Sequence, residues 1–442
     1  MLPSQKYKNK KIAIYGMGMT GISAAKTFKK LNAKVYCWDD NKKTRTKLKK
    51  KNLNLNKFWL QKEFIDKIVI SPGIDINKCK IKNYLKRNLA KVITDIDLFF
   101  ELNKNQLIIS ITGTNGKSTT CKLIEKILKT AKLNVKTLGN IGKPILSSNL
   151  EKRRKKCIYI LEVSSYQLQY SKIFRSRHAA ILNISPDHLE RHKNTTDYTK
   201  VKSRIFFAQN KSDYSYINID NKYSALIKKV IKLKKVKSKL ICVTKKNSSY
   251  LLNEIKNKYF NNNGNIENLS FAYRIAKNLK IKNNTIIKAI NDFKGLPHRQ
   301  EIIFSNKKLI YINDSKATSF DASLQSLMNY NRIYWIVGGV PKYKDKFNLK
   351  SVKKRIVKAY VIGKSTSSFV KKIKKDIPYK ISKNIKEALK NINQDIILNK
   401  DIRSSVLLSP AGASFDQYNN FGERGNHFKS LVSKEFIRKF NV

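Results

Sequence analysis

Short apolar runs ending in polar turns recur along this chain, alternating with segments whose apolar residues return at helical spacing. Runs at residues 11–15, 34–38, 68–70 and 92–93 read as buried strands, as do 107–111, 158–161, 179–183, 214–219 and 239–243. Four more stand at 309–312, 333–337, 359–362 and 405–408. Helical spacing is clearest after Gly21, through Phe28 and Leu31, and after Lys117, through Leu123, Ile124, Ile127 and Leu128. It recurs at 198–207 and 268–280. The pattern predicts α/β architecture with mostly parallel sheets, whose function lies in the polar loops at the strands' carboxyl ends. Three such units in series predict domains at 1–95, 96–296 and 297–442. The first and last are Rossmann-like, and the middle one is a P-loop-type mononucleotide-binding domain.

The most informative loop lies in LIISITGTNGKSTT (107–120). A strand, a turn with Gly113, Thr114, Asn115 and Gly116, and a helix opening on Lys117, Ser118 and Thr119 make a phosphate cradle. Backbone N–H groups face the anion, the lysine adds a point charge, and a hydroxyl can hold Mg2+. Ile111 occupies the place where the general pattern has its first glycine, so the cradle is a variant. A second anion signal follows the first strand: Gly16, Gly18 and Gly21 in G-x-G-x-x-G spacing, with Asp39 and Asp40 ending the next strand. Taken alone, that fingerprint suggests a nicotinamide dinucleotide. The Ser71-Pro72-Gly73 turn and Glu162 also end strands, and Glu162 is placed to take Mg2+. His188 and His192 have the spacing of paired helix ligands, although a solvated loop histidine is the commoner outcome.

Composition changes this picture little. With 93 Lys+Arg against 30 Asp+Glu, the net charge is +63, which invites a nucleic-acid or anionic-membrane reading. The excess is spread over every segment and is mostly lysine. Abundant asparagine and isoleucine accompany it, as A/T-rich codons would produce. No basic module interleaved with aromatics stands out, so no obligate nucleic acid is expected. Five scattered cysteines fit a reducing, cytoplasmic setting better than a disulfide or zinc framework. No apolar run is long enough to span a bilayer, and the glycines at 16, 18 and 21 argue against a signal peptide in the basic N-terminus.

Two anion cradles in one chain suggest two nucleotide-bearing substrates and ligation through an activated carboxylate. The sequence resembles the Mur ligases of peptidoglycan synthesis over essentially its whole length. TGTNGKST (112–119) is shared with folylpolyglutamate synthases. SPGI (71–74), GNIG (139–142), EVSSYQL (162–168), DH (187–188) and GLPHRQE (295–301) are more specific. NDSKAT (313–318) and LLSPAGASFDQYNNFGERGNHF (407–428) point to the branch that adds D-glutamate.

The resemblance implies an ATP-dependent, ADP-forming ligase that adds D-glutamate to UDP-N-acetylmuramoyl-L-alanine through an acyl phosphate. The glycine turn then holds UDP rather than a nicotinamide, through Gly18, Met19, Thr20, Asp39, Ser71 and Gly73. Asn140 and His188 face the muramoyl side. ATP falls to residues 113–119, Asn268, Arg299, Asp314 and Lys316. D-glutamate falls to Thr318, Lys342, Ser414 and Phe421. Two Mg2+ ions fall to Ser118, Glu162, His188 and Lys202, the last as a carbamate. Lys117, His188, Lys202, Arg299 and Lys316 carry the chemistry, and the expected working form is a monomer without membrane insertion. Val340 stands where a polar residue is expected, and Gly412 where cysteine is more usual. The alternatives are another amide ligase of the Mur or folylpolyglutamate type, or a basic nucleic-acid-binding NTPase. Amino-acid-dependent phosphate release separates the first, and DNA-stimulated ATPase the second.

Overall fold

The computed structural model describes residues 3–49, 53–60, 64–139, 144–147, 156–248, 251, 253–342, 345, 347–397 and 403–433. They form two compact units, Met1–Phe293 and Lys294–Val442.

The first unit contains two parallel sheets. One comprises β1 (Lys11–Tyr15), β2 (Lys34–Trp38), β3 (Lys67–Ile70) and β4 (Val92–Ile93), in the order β2-β1-β3-β4. The other comprises β5 (Leu107–Thr112), β6 (Val135–Gly139), β7 (Ile158–Glu162), β8 (His178–Ile181), β9 (Tyr214–Asn218) and β10 (Lys239–Val243). Their order is β10-β9-β8-β5-β7-β6. β1 lies between β2 and β3, and β5 between β7 and β8. Each is therefore the strand about which the order reverses, and its carboxyl end opens a crevice for ligands. The inner strands β1, β3, β5, β7 and β8 read as mostly apolar runs because they are buried on both faces. Helix Lys117–Thr130 buries Leu123, Ile124, Ile127 and Leu128 against β5, and helices Asn263–Asn278 and Asn283–Asn291 pack on it in turn.

Helix Asp95–Leu102 joins the two sheets. Its start is a capping box, in which the Asp97 carboxylate accepts from the backbone N–H of Thr94 at 3.1 Å. The other Asp97 oxygen accepts from Ser171 Oγ at 2.8 Å and from the N–H groups of Lys172, Ile173 and Phe174, each at 3.0 Å. This wholly buried carboxylate latches the connecting helix to the turn before β8. Asp97→Asn puts an amide donor among donors, so we expect it to cost about 3 kcal/mol of stability, read as a lower midpoint in urea unfolding.

The second unit is built on β11 (Glu301–Ser305), β12 (Leu309–Asn313), β13 (Ile333–Gly338), β14 (Val340–Pro341), β15 (Ile356–Ile362), β16 (Tyr379–Ile381), β17 (Ser404–Leu408) and β18 (Gly412–Ala413). The main sheet runs β11-β12-β17-β13-β15-β16, and β14 and β18 form a separate antiparallel pair. Only β11 is antiparallel within the main sheet. The apolar pattern misses β11 because Ile302 is 53% exposed and the pairing shifts register between Ile302 and Phe304.

Two helices begin earlier than their apolar spacing suggests. The one expected from 268 starts at Asn263, because the Asn262 side chain accepts from the N–H of Asn265 at 2.9 Å. The one expected at 198–207 runs Thr195–Ser203, capped by Asn194, and tightens into a 3-10 turn at Arg204–Phe206. The strand expected at 179–183 is His178–Ile181.

Candidate active site

The loop after β5 turns sharply into its helix. Gly116 has φ +80, and a Cβ there would lie 2.1 Å from Asn268 Oδ1, so only glycine fits. Asn268 also accepts from Thr120 Oγ1 at 3.2 Å, which sets it beside the start of the helix. The loop is pinned from β8's end: the Asn115 N–H donates to Asn183 Oδ1 at 2.8 Å, and the Ser185 N–H to Thr114 Oγ1 at 3.0 Å. Lys117 curls back over the loop and donates to the carbonyls of Gly113 and Thr114, at 2.9 and 2.7 Å. Its Nζ therefore lies against the loop between β5 and the helix.

β7 runs beside β5, which brings Glu162 level with Ile111. The buried Ser118 hydroxyl donates to the buried Glu162 carboxylate at 2.8 Å. Lys202 comes from helix Thr195–Ser203 and is 2% exposed. Its Nζ donates to Thr112 Oγ1 at 3.2 Å and to the Gly113 carbonyl at 3.0 Å, and lies 4.7 Å from the centre of the Tyr198 ring. Burial and the neighbouring Lys117 charge hold its pKa well below the usual lysine range, opposed by Glu162.

His188 caps the short helix Leu189–His192 in a left-handed conformation, φ 53. Its Nδ1 is 2.8 Å from Tyr166 Oη. Burial lowers its pKa; Glu190 opposes the shift, and Lys202 and Lys117 reinforce it. The suggested pairing of His188 with His192 does not form on a helix face, because His188 lies outside the helical conformation. His192 is buried, bonded to Ser165 Oγ at 3.0 Å and stacked on Tyr166. Burial, then the His188 and Arg191 charges, push its pKa down to about 4. It is a packed neutral histidine.

Lys117, Tyr166, His188, Tyr198 and Lys202 share a cavity of about 500 Å³ with the glycine turn after β1. Gly18, Met19, Thr20, Asp39, Ser71 and Gly73 line it on one side, and Lys117, His188, Lys202 and Tyr198 on the other. Asp39 orders the turn by accepting from the N–H groups of Met17 and Asn41, at 2.7 and 2.9 Å. Ser71 Oγ donates to the Gly16 carbonyl at 2.5 Å. Asn140 lies outside the described residues.

In the second unit the candidate residues gather at the carboxyl ends of β12, β13 and β17. Asp314 is buried and accepts from Ser326 Oγ at 2.5 Å, Ser409 Oγ at 2.9 Å and the N–H of Gln300 at 3.2 Å. Burial raises its pKa to about 6 against those bonds. Lys316 Nζ lies 5.0 Å from the centre of the Phe421 ring, and His298 meets the same ring edge-on at 6.3 Å. Arg299 bridges back to Leu296 in the turn before β11. Lys342 follows β14 and Ser414 follows β18; because those two strands run antiparallel, the two residues leave the pair at opposite ends. Thr318 lies in the loop after β12. Val340 is 40% exposed on β14. At Gly412 a Cβ would come within 2.9 Å of both the Gly338 carbonyl and Phe369, so this backbone packs tightly around glycine.

The family model described as Mur ligase middle domain matches residues 111–286. That described as Mur ligase MurD-like, N-terminal domain, matches residues 10–93. A Rickettsia felis protein called UDP-N-acetylmuramoylalanine–D-glutamate ligase is 35% identical over 97% of this chain and 98% of its own length. The chain belongs to the Mur ligase family. A Rhizobium etli protein of the same name is 30% identical, covering 98% of this chain and 97% of its own. Among solved structures, the MurF ligase of Thermotoga maritima in complex with ADP matches with a TM-score of 0.57, over 98% of this chain and 97% of that one. At 14% identity that likeness shows a shared fold.

Several cavity residues of this Mur ligase carry no signal of their own in the sequence. Tyr166 and Gln167 are visible only as letters of the EVSSYQL motif. Tyr198 reads as an ordinary helix residue, and Asp95 falls at the expected boundary between the first two domains. Asp95 accepts from Gln167 Nε2 at 2.9 Å, and burial raises its pKa to about 6. Among the described residues no helix is long and apolar enough to cross a membrane, and no group of three His, Cys, Asp or Glu side chains gathers as a metal site.

Proposed function

We propose that this Mur ligase joins D-glutamate to UDP-N-acetylmuramoyl-L-alanine in the cytoplasm, cleaving ATP to ADP and phosphate. One observation carries the reading: a single cavity is lined by the glycine turn and by Lys117 of the phosphate cradle, with His188 and Lys202 beside it. A substrate anchored by its diphosphate at the turn can extend its carboxylate to the cradle. The names of the curated relatives supply the amino acid. On this reading residues 1–95 hold UDP, 96–296 hold ATP and 297–442 hold the amino acid, all within one monomer. The surplus positive charge helps draw in these anionic substrates at low salt.

The alanine carboxylate attacks the γ-phosphorus of ATP, forming an acyl phosphate and releasing ADP. The D-glutamate amine then attacks the acyl carbon, loses a proton, and expels phosphate to leave the amide. Lys117, Arg299 and Lys316 offset charge on the phosphoryl oxygens as it shifts. Asn268 and Asp314 align ATP, while Met19, Thr20 and Asp39 hold the uridine end. Asn140 and His188 align the muramoyl side. Lys342 and Ser414 hold the D-glutamate carboxylates, with Thr318 and Phe421 beside them. The acyl phosphate must be kept from water, which the walls of the cavity help to do.

The residues present fit hard divalent cations. The Ser118 hydroxyl and Glu162 carboxylate meet at 2.8 Å, and burial favours the neutral Lys202 amine, the form that adds CO2 to become a carbamate. Ser118 and Glu162 would hold one Mg2+, and His188 with carbamylated Lys202 a second. The ions would neutralise charge on the phosphoryl oxygens. Mass spectrometry of a reaction with ATP, UDP-N-acetylmuramoyl-L-alanine and D-glutamate tests the proposal. A product heavier by one glutamyl residue is expected, and an unchanged sugar nucleotide contradicts it.

A further inference from the structure

The second unit contains a buried cation that the scheme above does not use. Arg424 lies in helix Phe421–Leu431 and is 1% exposed. Its bonding partners among the described residues are two carbonyls and a hydroxyl, not a carboxylate. Nη1 and Nη2 both donate to the Gly412 carbonyl, each at 3.0 Å. Nη2 also donates to the Ser315 carbonyl at 2.8 Å, and Nε to Ser315 Oγ at 3.0 Å. Ser315 Oγ in turn donates to the Phe421 carbonyl at 2.8 Å, closing a ring back to the arginine's own helix. Burial lowers the guanidinium's pKa to about 10, a range in which it remains charged at neutral pH.

The segments joined by this side chain are those that carry the proposed D-glutamate contacts. Ser315 sits between Asp314 and Lys316, in the loop that continues to Thr318. Gly412 begins β18, which leads to Ser414 and pairs with β14, the strand that leads to Lys342. Phe421 opens the helix that bears Arg424. A planar fork can bridge several acceptors at once, whereas a lysine ammonium offers a single point charge. Burying a cation in this way is expensive unless the geometry it holds is needed.

We propose that Arg424 is a positioning residue that fixes the spacing between the 314–318 loop and the β14–β18 pair, and so sets the affinity for the incoming amino acid. The inference rests on the functional reading above. Arg424 touches no substrate itself; it acts through Thr318, Lys342, Ser414 and Phe421.

Steady-state kinetics of full-length Arg424→Lys test it, with each of the three substrates varied in turn. The KM for D-glutamate rises about 10-fold or more, as the loss of one charge-assisted hydrogen bond at such a clamp implies. The KM for UDP-N-acetylmuramoyl-L-alanine stays within about twofold, because its proposed contacts belong to the first unit and Arg424 to the second. An unchanged KM for D-glutamate overturns the proposal. So does an equal loss for all substrates in step with lost thermal stability, which marks a merely structural arginine. Should Arg424→Lys fail to fold, Ser315→Ala carries the same test. It removes one arm of the clamp and is expected to raise the KM for D-glutamate about threefold, and no change overturns the proposal. A wild-type enzyme whose phosphate release ignores D-glutamate overturns the functional reading, and the inference with it.

Discussion

Lys117→Ala lowers turnover by at least ~100-fold, the scale on which a preorganised charge at the transferring phosphoryl group acts. The lysine stands over the cradle with its ammonium on the Gly113 and Thr114 carbonyls, and those contacts show why the fold survives its loss. The Gly113 carbonyl keeps a second donor in Lys202 Nζ at 3.0 Å, and Thr114 is half-buried, so we expect a stability change of only about 1–2 kcal/mol. The check pairs a turnover assay with a thermal melt. Near-normal turnover contradicts the assigned role.

Lys202→Ala should be equally damaging, but for a different reason, and should be partly reversible. Lys202 is enclosed between Thr112, Gly113 and the Tyr198 ring, and its burial disfavours the ammonium. A side chain held there only as a cation would be an odd neighbour for Lys117. A carbamate supplies a carboxylate-like group instead, so formate or acetate added to the alanine variant should fill the vacated space and recover part of the turnover. Activity is measured against carboxylate concentration, with chloride at the same ionic strength as control. Recovery that chloride matches, or none at all, contradicts the carbamate.

How much of this was legible in the sequence differs between the sheets and the site. The central strands could be read because they are buried on both faces: β5, β12 and β17 are buried and mostly apolar, and each ends abruptly in a polar turn. β11 could not, since it lies at an edge, half exposed and bulged. Helix starts were obscured wherever a side-chain cap, such as Asn262 or Asn194, set the boundary ahead of the first apolar residue. The phosphate cradle and the glycine turn were legible because their function is carried by consecutive backbone positions. Tyr166, Tyr198 and Asp95 were not, because they reach the cavity from separate elements and only the fold brings them together. The His188–His192 spacing shows the reverse error: a periodicity with metal-ligand spacing, dissolved by one left-handed residue. Arg424 belongs with the unread residues, since one basic side chain in a lysine-rich chain gives no hint that it is buried.

The central claim is that the amino acid joined is D-glutamate, and its most direct test is phosphate release from ATP in the presence of UDP-N-acetylmuramoyl-L-alanine and Mg2+, with D-glutamate, L-glutamate or no amino acid added. The account predicts sustained release with D-glutamate only. Equal release with L-glutamate, or release indifferent to any amino acid, contradicts it.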